Sequence, residues 1–231
     1  MDKKYLLAHN KYGQYFVPKS SAYTFTAKAI LSGKVHEPST IRFMAEHNEN
    51  CDIIHAGAGF GDFLPALSKS TAGHVWTFEP NDENFYCAKK TIEINSLNNV
   101  KLFHCGLAST RASKHFRTRE NGLDLGPRTR TTEIIDPEDG LQKCEVYTLD
   151  ELVDSPRVSI LHLDVEGYEF EILKGAANLI EKHSPLIILE IDANALVYND
   201  FMQSLGYKPA RQLVYNAKEM VFVNTVYTRR K

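Results

Sequence analysis

Short, nearly continuous apolar runs bounded by turn-forming residues recur along this chain, and they constrain its fold more than any other feature. The runs span Cys51–His55, His74–Phe78, Val100–Cys105, Val158–Leu163 and Leu186–Glu190. Such runs are typical of strands that are buried on both faces, as in a parallel sheet. We therefore expect a parallel sheet whose strands alternate with helices.

Segments with the spacing of amphipathic helices lie between these runs. They span Asp82–Ile94, Tyr168–Glu181 with a break at Gly175, and about Ala193–Leu205. A hairpin-like pair around Arg211–Val214 and Met220–Val226 completes the pattern. The order predicts an α/β fold with a Rossmann-like sheet of seven strands, mostly parallel with an antiparallel last strand, and helices on both faces.

Composition excludes several classes of protein. The 231 residues carry 27 Lys+Arg against 29 Asp+Glu, a net charge of −2, and 43% are hydrophobic. A disordered chain would be less apolar and more highly charged. A domain that binds nucleic acid mainly through phosphate contacts would be clearly basic, so we expect no nucleic-acid partner.

The chain length fits one large domain, and we expect a single domain over residues 1–231 with an N-terminal extension at 1–36. No apolar run is long enough for a signal peptide or a membrane span. The four cysteines lack metal-site spacing and indicate free thiols. We therefore expect a cytoplasmic protein without membrane association, and the sequence does not indicate its oligomeric state.

One polar insertion, Ser109–Leu141, interrupts the alternation between the third and fourth strands. Its basic residues include Arg111, Lys114, His115, Arg117, Arg119, Arg128 and Arg130. An open α/β sheet binds its ligand at this edge, so the insertion is either a lid that holds an anionic acceptor or a solvated loop. Both interpretations stand at the level of sequence.

The first strand leads directly into a turn with three glycines at alternate positions, Gly57, Gly59 and Gly61. Glycines let a backbone turn tightly and approach a ligand, and the helix that follows offers free N–H groups. The alternative is an ordinary tight turn. The strand–glycines–helix context favours a ligand-binding turn.

Glu79 ends the second strand, 18 positions after Gly61. Pro80, the next residue, prevents the strand from continuing. A carboxylate at this point has two acceptor oxygens, which suit the two hydroxyls of a ribose. The alternative is a surface acid at a strand end. Together with the glycine turn, Glu79 predicts a nucleoside-containing cofactor, either NAD or S-adenosylmethionine. The alternating glycines favour S-adenosylmethionine, because a dinucleotide site uses GxGxxG.

Five motifs then occur in order, and with them the chain resembles the FkbM-type family of S-adenosylmethionine-dependent methyltransferases. They are the glycine turn His55–Phe63, F-E-P-N at Phe78–Asn81, T-L-D-E-L at Thr148–Leu152, D-V-E-G-Y-E at Asp164–Glu169 and L-K-G-A at Leu173–Ala176. The resemblance covers about residues 35–192, and Glu190 matches the acid that ends the fifth strand. Three positions depart from the family pattern: His55 replaces an Asp, Gly59 an Asn, and Asp62 a Tyr or similar residue.

The resemblance implies a methyltransferase that binds S-adenosylmethionine and methylates a hydroxyl, of a sugar, a glycan or a glycosylated natural product. The residues that it points to for the cofactor are Glu37, His55, Gly57, Ala58, Gly59, Phe60, Gly61, Asp62, Glu79, Pro80, Asn81, Gly106 and Asp164. A hydroxyl is a poor nucleophile, so a base is expected. Asp164, at the end of the fourth strand, is the first choice, and Glu166 is a further candidate. His162 precedes the strand tip and fits either a core residue or a base, and His104, a weaker candidate, fits a buried imidazole equally well.

Two other interpretations stay open. Asp164, Glu166, Glu190 and Asp192 could bind Mg²⁺ or could simply cap helices, so no metal site is assigned. The replaced acid at His55 leaves room for a catalytically silent, methyltransferase-like binding module. The glycine turn and Glu79 alone would also fit an NAD(P)-dependent oxidoreductase.

Overall fold

A computed structural model of the chain describes residues 4–117, 119–120, 123–124, 141–165, 167–191, 196–217 and 220–229. The strands are β1 (Tyr5–His9), β2 (Gln14–Pro18), β3 (Asp52–Ala56), β4 (Val75–Phe78), β5 (Val100–Phe103), β6 (Gly106–Leu107), β7 (Ala112–Arg117), β8 (Arg119–Glu120), β9 (Leu123–Asp124), β10 (Leu141–Tyr147), β11 (Val158–Leu163), β12 (Leu186–Leu189), β13 (Tyr207–Ala217) and β14 (Met220–Arg229). The α-helices are α1 (Phe25–Leu31), α2 (Pro38–His47), α3 (Leu64–Ser70), α4 (Asp82–Ile94), α5 (Leu149–Leu152), α6 (Glu169–Lys174), α7 (Ala177–His183) and α8 (Leu196–Ser204).

The central sheet has seven strands in the order β13-β14-β12-β11-β3-β4-β5. The five strands from β12 to β5 run parallel, β14 pairs antiparallel with β12, and β13 pairs antiparallel with β14. The predicted fold class is therefore confirmed. All five parallel strands end at one edge of the sheet, here called the carboxyl edge, and ligands of open α/β sheets bind at such an edge.

The helix predicted over Tyr168–Glu181 is two helices, α6 and α7, separated at Gly175 and Ala176 as the expected break suggested. The final hairpin is longer than predicted, because its strands continue through exposed and polar positions such as Lys208–Gln212, which form no apolar run. The predicted helix over Ala193–Leu205 is α8 from Leu196 onward, and residues 192–195 lie outside the described residues.

Two hydrophobic cores cover the two faces of the sheet, because successive side chains of a strand point to opposite faces. On one face, Ile53 and Ile160 pack against α2 and α3. On the other, Ile54 and Leu161 pack against α6, α7 and α8. Full burial of one such side chain contributes about 1.5–3 kcal/mol. The sheet is thus covered on both faces and leaves its carboxyl edge for ligands.

The N-terminal segment forms a hairpin, β1–β2, that packs against α4. Thr91 of α4 and Asn95, just after the end of α4, accept hydrogen bonds from backbone N–H groups of β2. Tyr15 and Val17 of β2 are buried in a third core together with Phe60 of the glycine turn. The segment predicted as an extension therefore supports the glycine turn.

The insertion Ser109–Leu141 begins and ends as strands. β7 pairs antiparallel with β10, from Ala112 opposite Val146 to Arg117 opposite Leu141, and β10 pairs in parallel with β6. Residues 118, 121–122 and 125–140 lie outside the described residues. The lid therefore stays a prediction. No helix among the residues that the structure describes is long and apolar enough to cross a membrane.

The T-L-D-E-L motif follows β10 and provides hydrogen-bonding caps for two helices, α5 and α7. Thr148 caps α5 by accepting a hydrogen bond from the N–H of Glu151. The Asp150 carboxylate accepts hydrogen bonds from the N–H groups of Asn178 and Leu179, at 3.0 and 2.7 Å. Because Ala176, at the start of α7, has no side chain that can cap the helix, Asp150 provides this cap from a distant part of the chain.

We expect Asp150→Ala to lower the free energy of unfolding by about 1 kcal/mol, because it leaves two N–H groups at the start of α7 without their acceptor. Urea denaturation measures this loss. Glu151→Ala is the matched control: Glu151 pairs with Arg111 at the surface, and its loss is expected to cost less than about 0.5 kcal/mol. Equal losses in the two variants would contradict the capping role.

Candidate functional site

The glycine turn and the end of β11 are in direct contact at the carboxyl edge. The N–H of Asp164 donates to the carbonyl of Ala56 at 2.9 Å. Gly57 has a φ of 86°, and a β-carbon there would lie 1.8 Å from the carbonyl oxygen of Asp164. Position 57 therefore requires glycine both for its backbone conformation and for space.

Glu79 joins the end of β4 to the same turn. One of its carboxylate oxygens, Oε2, accepts a hydrogen bond from the N–H of Gly59 at 2.8 Å, and Oε1 accepts one from the N–H of Asn81 at 2.9 Å. The side chain is 5% exposed, and burial raises the pKa of Glu79 to about 7 despite these bonds. The Asn84 side chain also hydrogen-bonds to the carboxylate, and the remaining acceptor site is available to a ligand hydroxyl.

The neighbours of Glu79 have structural partners of their own. Asn81 caps α4, since its Oδ1 accepts from the N–H groups of Glu83 and Asn84. The carbonyl of Pro80 accepts a hydrogen bond from Gln142 of β10. A β-carbon at Gly106 would lie 2.9 Å from Val146 and 3.8 Å from Pro80, so Gly106 lies beside the same strand end.

Ala58 and Phe60 are buried and can meet a ligand only through their backbone. Ala58 donates its N–H to the carbonyl of Phe78 at 2.9 Å. The ring of Phe60 packs against the N-terminal hairpin. These contacts with the end of β4 and with the N-terminal hairpin hold the glycine turn in place.

Asp164 is half-buried where β11 ends, and the loop behind it is held by a single carboxylate. Glu169, which is 1% exposed, accepts hydrogen bonds from the N–H groups of Val165 and Gly167 and from the hydroxyl of Tyr198. Glu169 thus closes the loop that carries the D-V-E-G residues, a role that sequence reasoning missed. Glu166 lies outside the described residues, so its placement stays a prediction.

His162 lies beneath the carboxyl edge, inside the sheet. Its Nδ1 is 2.9 Å from Nδ1 of His55, and the two stacked rings, 5.0 Å apart, also stack on Phe63. Its Nε2 is 3.4 Å from Oδ1 of Asn224. Burial lowers the pKa of both histidines, that of His162 to about 4, so both rings are neutral at pH 7.

Glu37 is a buried acid in a strained position at the start of α2. Its φ is 43°, in the left-handed region, and its Oε2 accepts hydrogen bonds from Asn224 at 2.6 Å and from Thr40 at 3.0 Å. Burial and then the charge of Glu190 raise the pKa of Glu37 to about 7, and Asp62 adds to the shift. Burial raises the pKa of the half-buried Asp62 to about 7 as well.

Glu37, Asp62 and Glu190 therefore gather negative charge near the glycine turn. Carboxylates that repel each other in a partly dry site are stabilised by a cation. Among the described residues, no group of three or more His, Cys, Asp and Glu side chains has an arrangement that could hold a metal ion. Glu166 and Asp192, two of the four acids considered for Mg²⁺, are not described, and the structure gives no support for a metal.

Apart from Ala58, Phe60 and Gly61, which lie within the glycine turn, and Glu166, which is not described, the sequence-predicted residues fall into three groups. Those that contact each other at the carboxyl edge are Gly57, Gly59, Glu79, Pro80, Asn81, Gly106 and Asp164. Glu37, Asp62, His55 and His162 lie around or beneath the turn. His104 lies outside the site, where it pairs with the exposed Asp82 at 3.0 Å.

Sequence reasoning missed Asn224 and Thr40, which hold Glu37. The available signal was a polar pair, Asn224 and Thr225, between the apolar residues of β14. It also missed a contact from the insertion, since Lys114 of β7 reaches the hydroxyl of Tyr168 and lies 4.8 Å from the centre of its ring. Tyr168 immediately precedes α6, so a cation stands beside the D-V-E-G-Y-E segment.

We expect the raised pKa values of Glu37, Asp62 and Glu79 to appear in the stability of the protein. The folded state binds protons that the unfolded chain has released, so these groups stabilise the fold below pH 4–4.5, and this stabilisation is lost as pH rises to about 7. A shift of this size is worth at most about 3–4 kcal/mol for one group. Thermal melts from pH 4.5 to 8 test this.

Glu79→Gln is expected to remove its part of the pH dependence, whereas Glu46→Gln, at an exposed position of α2, is expected to leave the curve unchanged. A Glu79→Gln curve that parallels the wild-type curve would contradict the assignment.

Comparison with known proteins identifies a family and a relative of similar sequence. Residues 55–209 match the methyltransferase FkbM domain. The hexuronic acid methyltransferase AglP of Haloferax volcanii is 29% identical over 161 residues, which make up 68% of this chain and 63% of AglP.

Two solved structures have a similar fold. The FkbM methyltransferase from Methylobacillus flagellatus KT has a TM-score of 0.56 at 18% identity, over 77% of this chain and 43% of that protein. The tRNA (uracil-54, C5)-methyltransferase of Pyrococcus abyssi, in complex with S-adenosyl-L-homocysteine, has a TM-score of 0.55 at 14% identity, over 99% of this chain and 45% of that one. The chain thus spans less than two thirds of each of these relatives, and the structural matches bear on the fold alone. Since the matched domain covers more than half of the chain, the chain belongs to the FkbM methyltransferase family.

Proposed function

We propose that this protein is an S-adenosylmethionine-dependent O-methyltransferase that methylates a hydroxyl of a sugar or glycan. The observation that carries the proposal is the hydrogen bond between Glu79 and Gly59, which sets a buried carboxylate against the glycine turn, next to Asp164. A carboxylate at this position, beside a glycine turn at the end of a parallel strand, suits the ribose hydroxyls of a nucleoside. The family match favours methyl transfer over the oxidoreductase alternative.

The acids around the turn fit the rest of this cofactor. S-adenosylmethionine carries an ammonium and a sulfonium, and Glu37, Asp62 and Glu190 concentrate negative charge near the turn. Binding of a cationic group would relieve the repulsion that raises the pKa of Glu37. We therefore assign the ribose to Glu79 and the cationic part of the cofactor to Glu37 and Asp62.

When bound, S-adenosylmethionine supplies a methyl group that its sulfonium has already activated. The protein has to hold the acceptor hydroxyl in line with that methyl and accept its proton. Asp164 is the proposed base, since its backbone is fixed by Ala56 and its side chain is half-buried at the carboxyl edge. Glu169 contributes by holding the loop that follows Asp164.

His162 is not assigned a proton transfer. Its ring is fully buried, one nitrogen faces His55 and the other faces Asn224. A base has to come within hydrogen-bond reach of the proton that it removes, and these neighbours occupy both nitrogens. Glu166 stays a second candidate.

The acceptor is proposed to be a sugar that carries an anionic group. AglP is named for its action on a hexuronic acid, whose carboxylate is such a group. In this chain, Lys114 and the hydroxyl of Tyr168 stand beside the D-V-E-G-Y-E segment and can both donate to an anion. This arrangement supports the interpretation of the insertion as part of an acceptor site.

The second candidate is a catalytically silent binding module, which His55 favours because it stands where the family pattern has an acid. Calorimetry and turnover separate the two. Cofactor binding without methyl transfer to any acceptor in a broad panel would favour the module.

We expect Glu79→Gln to weaken S-adenosylmethionine binding about 10- to 100-fold, because a neutral amide replaces a charged acceptor of the ribose hydroxyls. Isothermal calorimetry at pH 8 measures the dissociation constant. Glu83→Gln is the matched control, since Glu83 binds Ser20 on the other side of the start of α4. Unchanged affinity in Glu79→Gln, or tight binding of NAD(P) by the wild type, would contradict the cofactor assignment.

We expect Asp164→Asn to lower kcat about 10²- to 10⁴-fold, the range for loss of a general base, with a much smaller effect on cofactor affinity. Release of S-adenosylhomocysteine with acidic and neutral sugars as acceptors measures the rate. Asp154→Asn, an exposed change near the opposite end of β11, serves as the control. Full activity in Asp164→Asn would show that another group takes the proton.

A further inference from the structure

A row of buried polar side chains crosses the core beneath the glycine turn and ends at Glu37. It consists of His55 on β3, His162 on β11, Asn224 on β14 and Glu37 before α2, each 1% exposed or less. Each member contacts the next: His55 to His162 at 2.9 Å, His162 to Asn224 at 3.4 Å, and Asn224 to Glu37 at 2.6 Å. We call these four residues the buried polar row.

The hydrogen bonds fix the orientation of every member. Asn224 faces a carboxylate, Glu37, so its amide nitrogen has to point there and its Oδ1 has to face His162. Nε2 of His162 therefore carries a hydrogen, and its Nδ1 accepts. It follows that Nδ1 of His55 carries the hydrogen of the His55–His162 contact.

With this orientation, Asn224 donates to one of the two oxygens of Glu37. Oε2 accepts from both Asn224 and Thr40, while Oε1 lies 3.6 Å from Nε2 of His36. A rotated Asn224 amide would set its oxygen against the carboxylate and would remove a donor from Oε2. The two neutral histidine rings oppose that rotation, because Oδ1 is the group that His162 needs as its acceptor.

We propose that Asn224, oriented by His162 and His55, is a positioning residue that holds the Glu37 carboxylate for the cationic part of the cofactor. This inference rests on the proposed function. A purely structural role would be served as well by apolar residues, since buried ionisable networks add little stability. The left-handed backbone at Glu37 is a further cost, of the kind that is found at functional sites.

The presence of His at position 55, where the family pattern has Asp, fits this role. An acid there would place a second buried charge beside His162. With two neutral rings instead, Glu37 is the acidic member of the buried polar row. The other titratable groups that bear on Glu37 are His36, Asp62 and Glu190.

A double-mutant cycle with Asn224→Leu and Glu37→Gln tests the proposal, read by calorimetric titration with S-adenosylmethionine from pH 6 to 8.5. We expect Asn224→Leu to weaken binding about tenfold at pH 7 in the wild-type background and less than twofold in the Glu37→Gln background. Without its donor the Glu37 carboxyl ionises at higher pH, so the rise of affinity with pH should move upward. Glu37→Gln should lose that part of the rise, and kcat at saturation should stay within about threefold for Asn224→Leu.

Two further variants sharpen the cycle. Ser39→Ala removes another hydrogen bond between α2 and the final hairpin, from Ser39 to the carbonyl of Val214, and should leave binding unchanged. His162→Phe keeps the stacked rings but removes the donor to Asn224, so it should shift the pH profile in the same direction as Asn224→Leu. If Asn224→Leu fails to fold, Thr40→Val takes its place in the cycle, because it removes the other donor to Oε2.

An equal loss of affinity in both backgrounds would overturn the proposal, since it would mean that Asn224 acts on the fold and not through Glu37. Failure of the wild type to bind S-adenosylmethionine would overturn the proposed function instead. The buried polar row is then tested without cofactor by thermal melts against pH. Asn224→Leu should extend the loss of stability to higher pH, and an unchanged window would overturn the positioning role.

Discussion

β3 and β11 approach each other so closely at the carboxyl edge that a β-carbon at position 57 would lie 1.8 Å from the carbonyl oxygen of Asp164. The rest of the site depends on this contact. It sets the glycine turn directly against the loop that carries Asp164, so that the groups assigned to cofactor and acceptor lie side by side. Glu79 can then bridge from β4 to the same turn through the N–H of Gly59.

The features that were predictable from sequence are those in which neighbouring residues carry the signal. Strands buried on both faces are continuous apolar runs, so the five parallel strands were located within one or two residues. The glycine turn and Glu79 were found because each sits at a strand end, where chain order alone places it at the carboxyl edge. The break between α6 and α7 followed from Gly175 in the same local way.

The features that were missed depend on residues far apart in the chain. Asn224 and Glu37 are separated by 187 positions, and only the antiparallel placement of β14 brings them together. Glu169 was noted as part of a motif, but its role depends on the turn at Gly167 and on Tyr198. For His162 a core residue and a base were both open, because the choice depends on the ring of Phe63, which comes from a different segment.

The hairpin of β13 and β14 has a consequence for where this protein can be cut. The region that matches the family ends at residue 209, before β14. β14 pairs with the side of β12 that does not face β11. A fragment limited to residues 55–209 would leave the backbone groups of β12 open, and unpaired strand edges promote aggregation. It would also lose Glu37 and the N-terminal hairpin under Phe60. The elements that complete the sheet and support the glycine turn therefore extend beyond the homologous region.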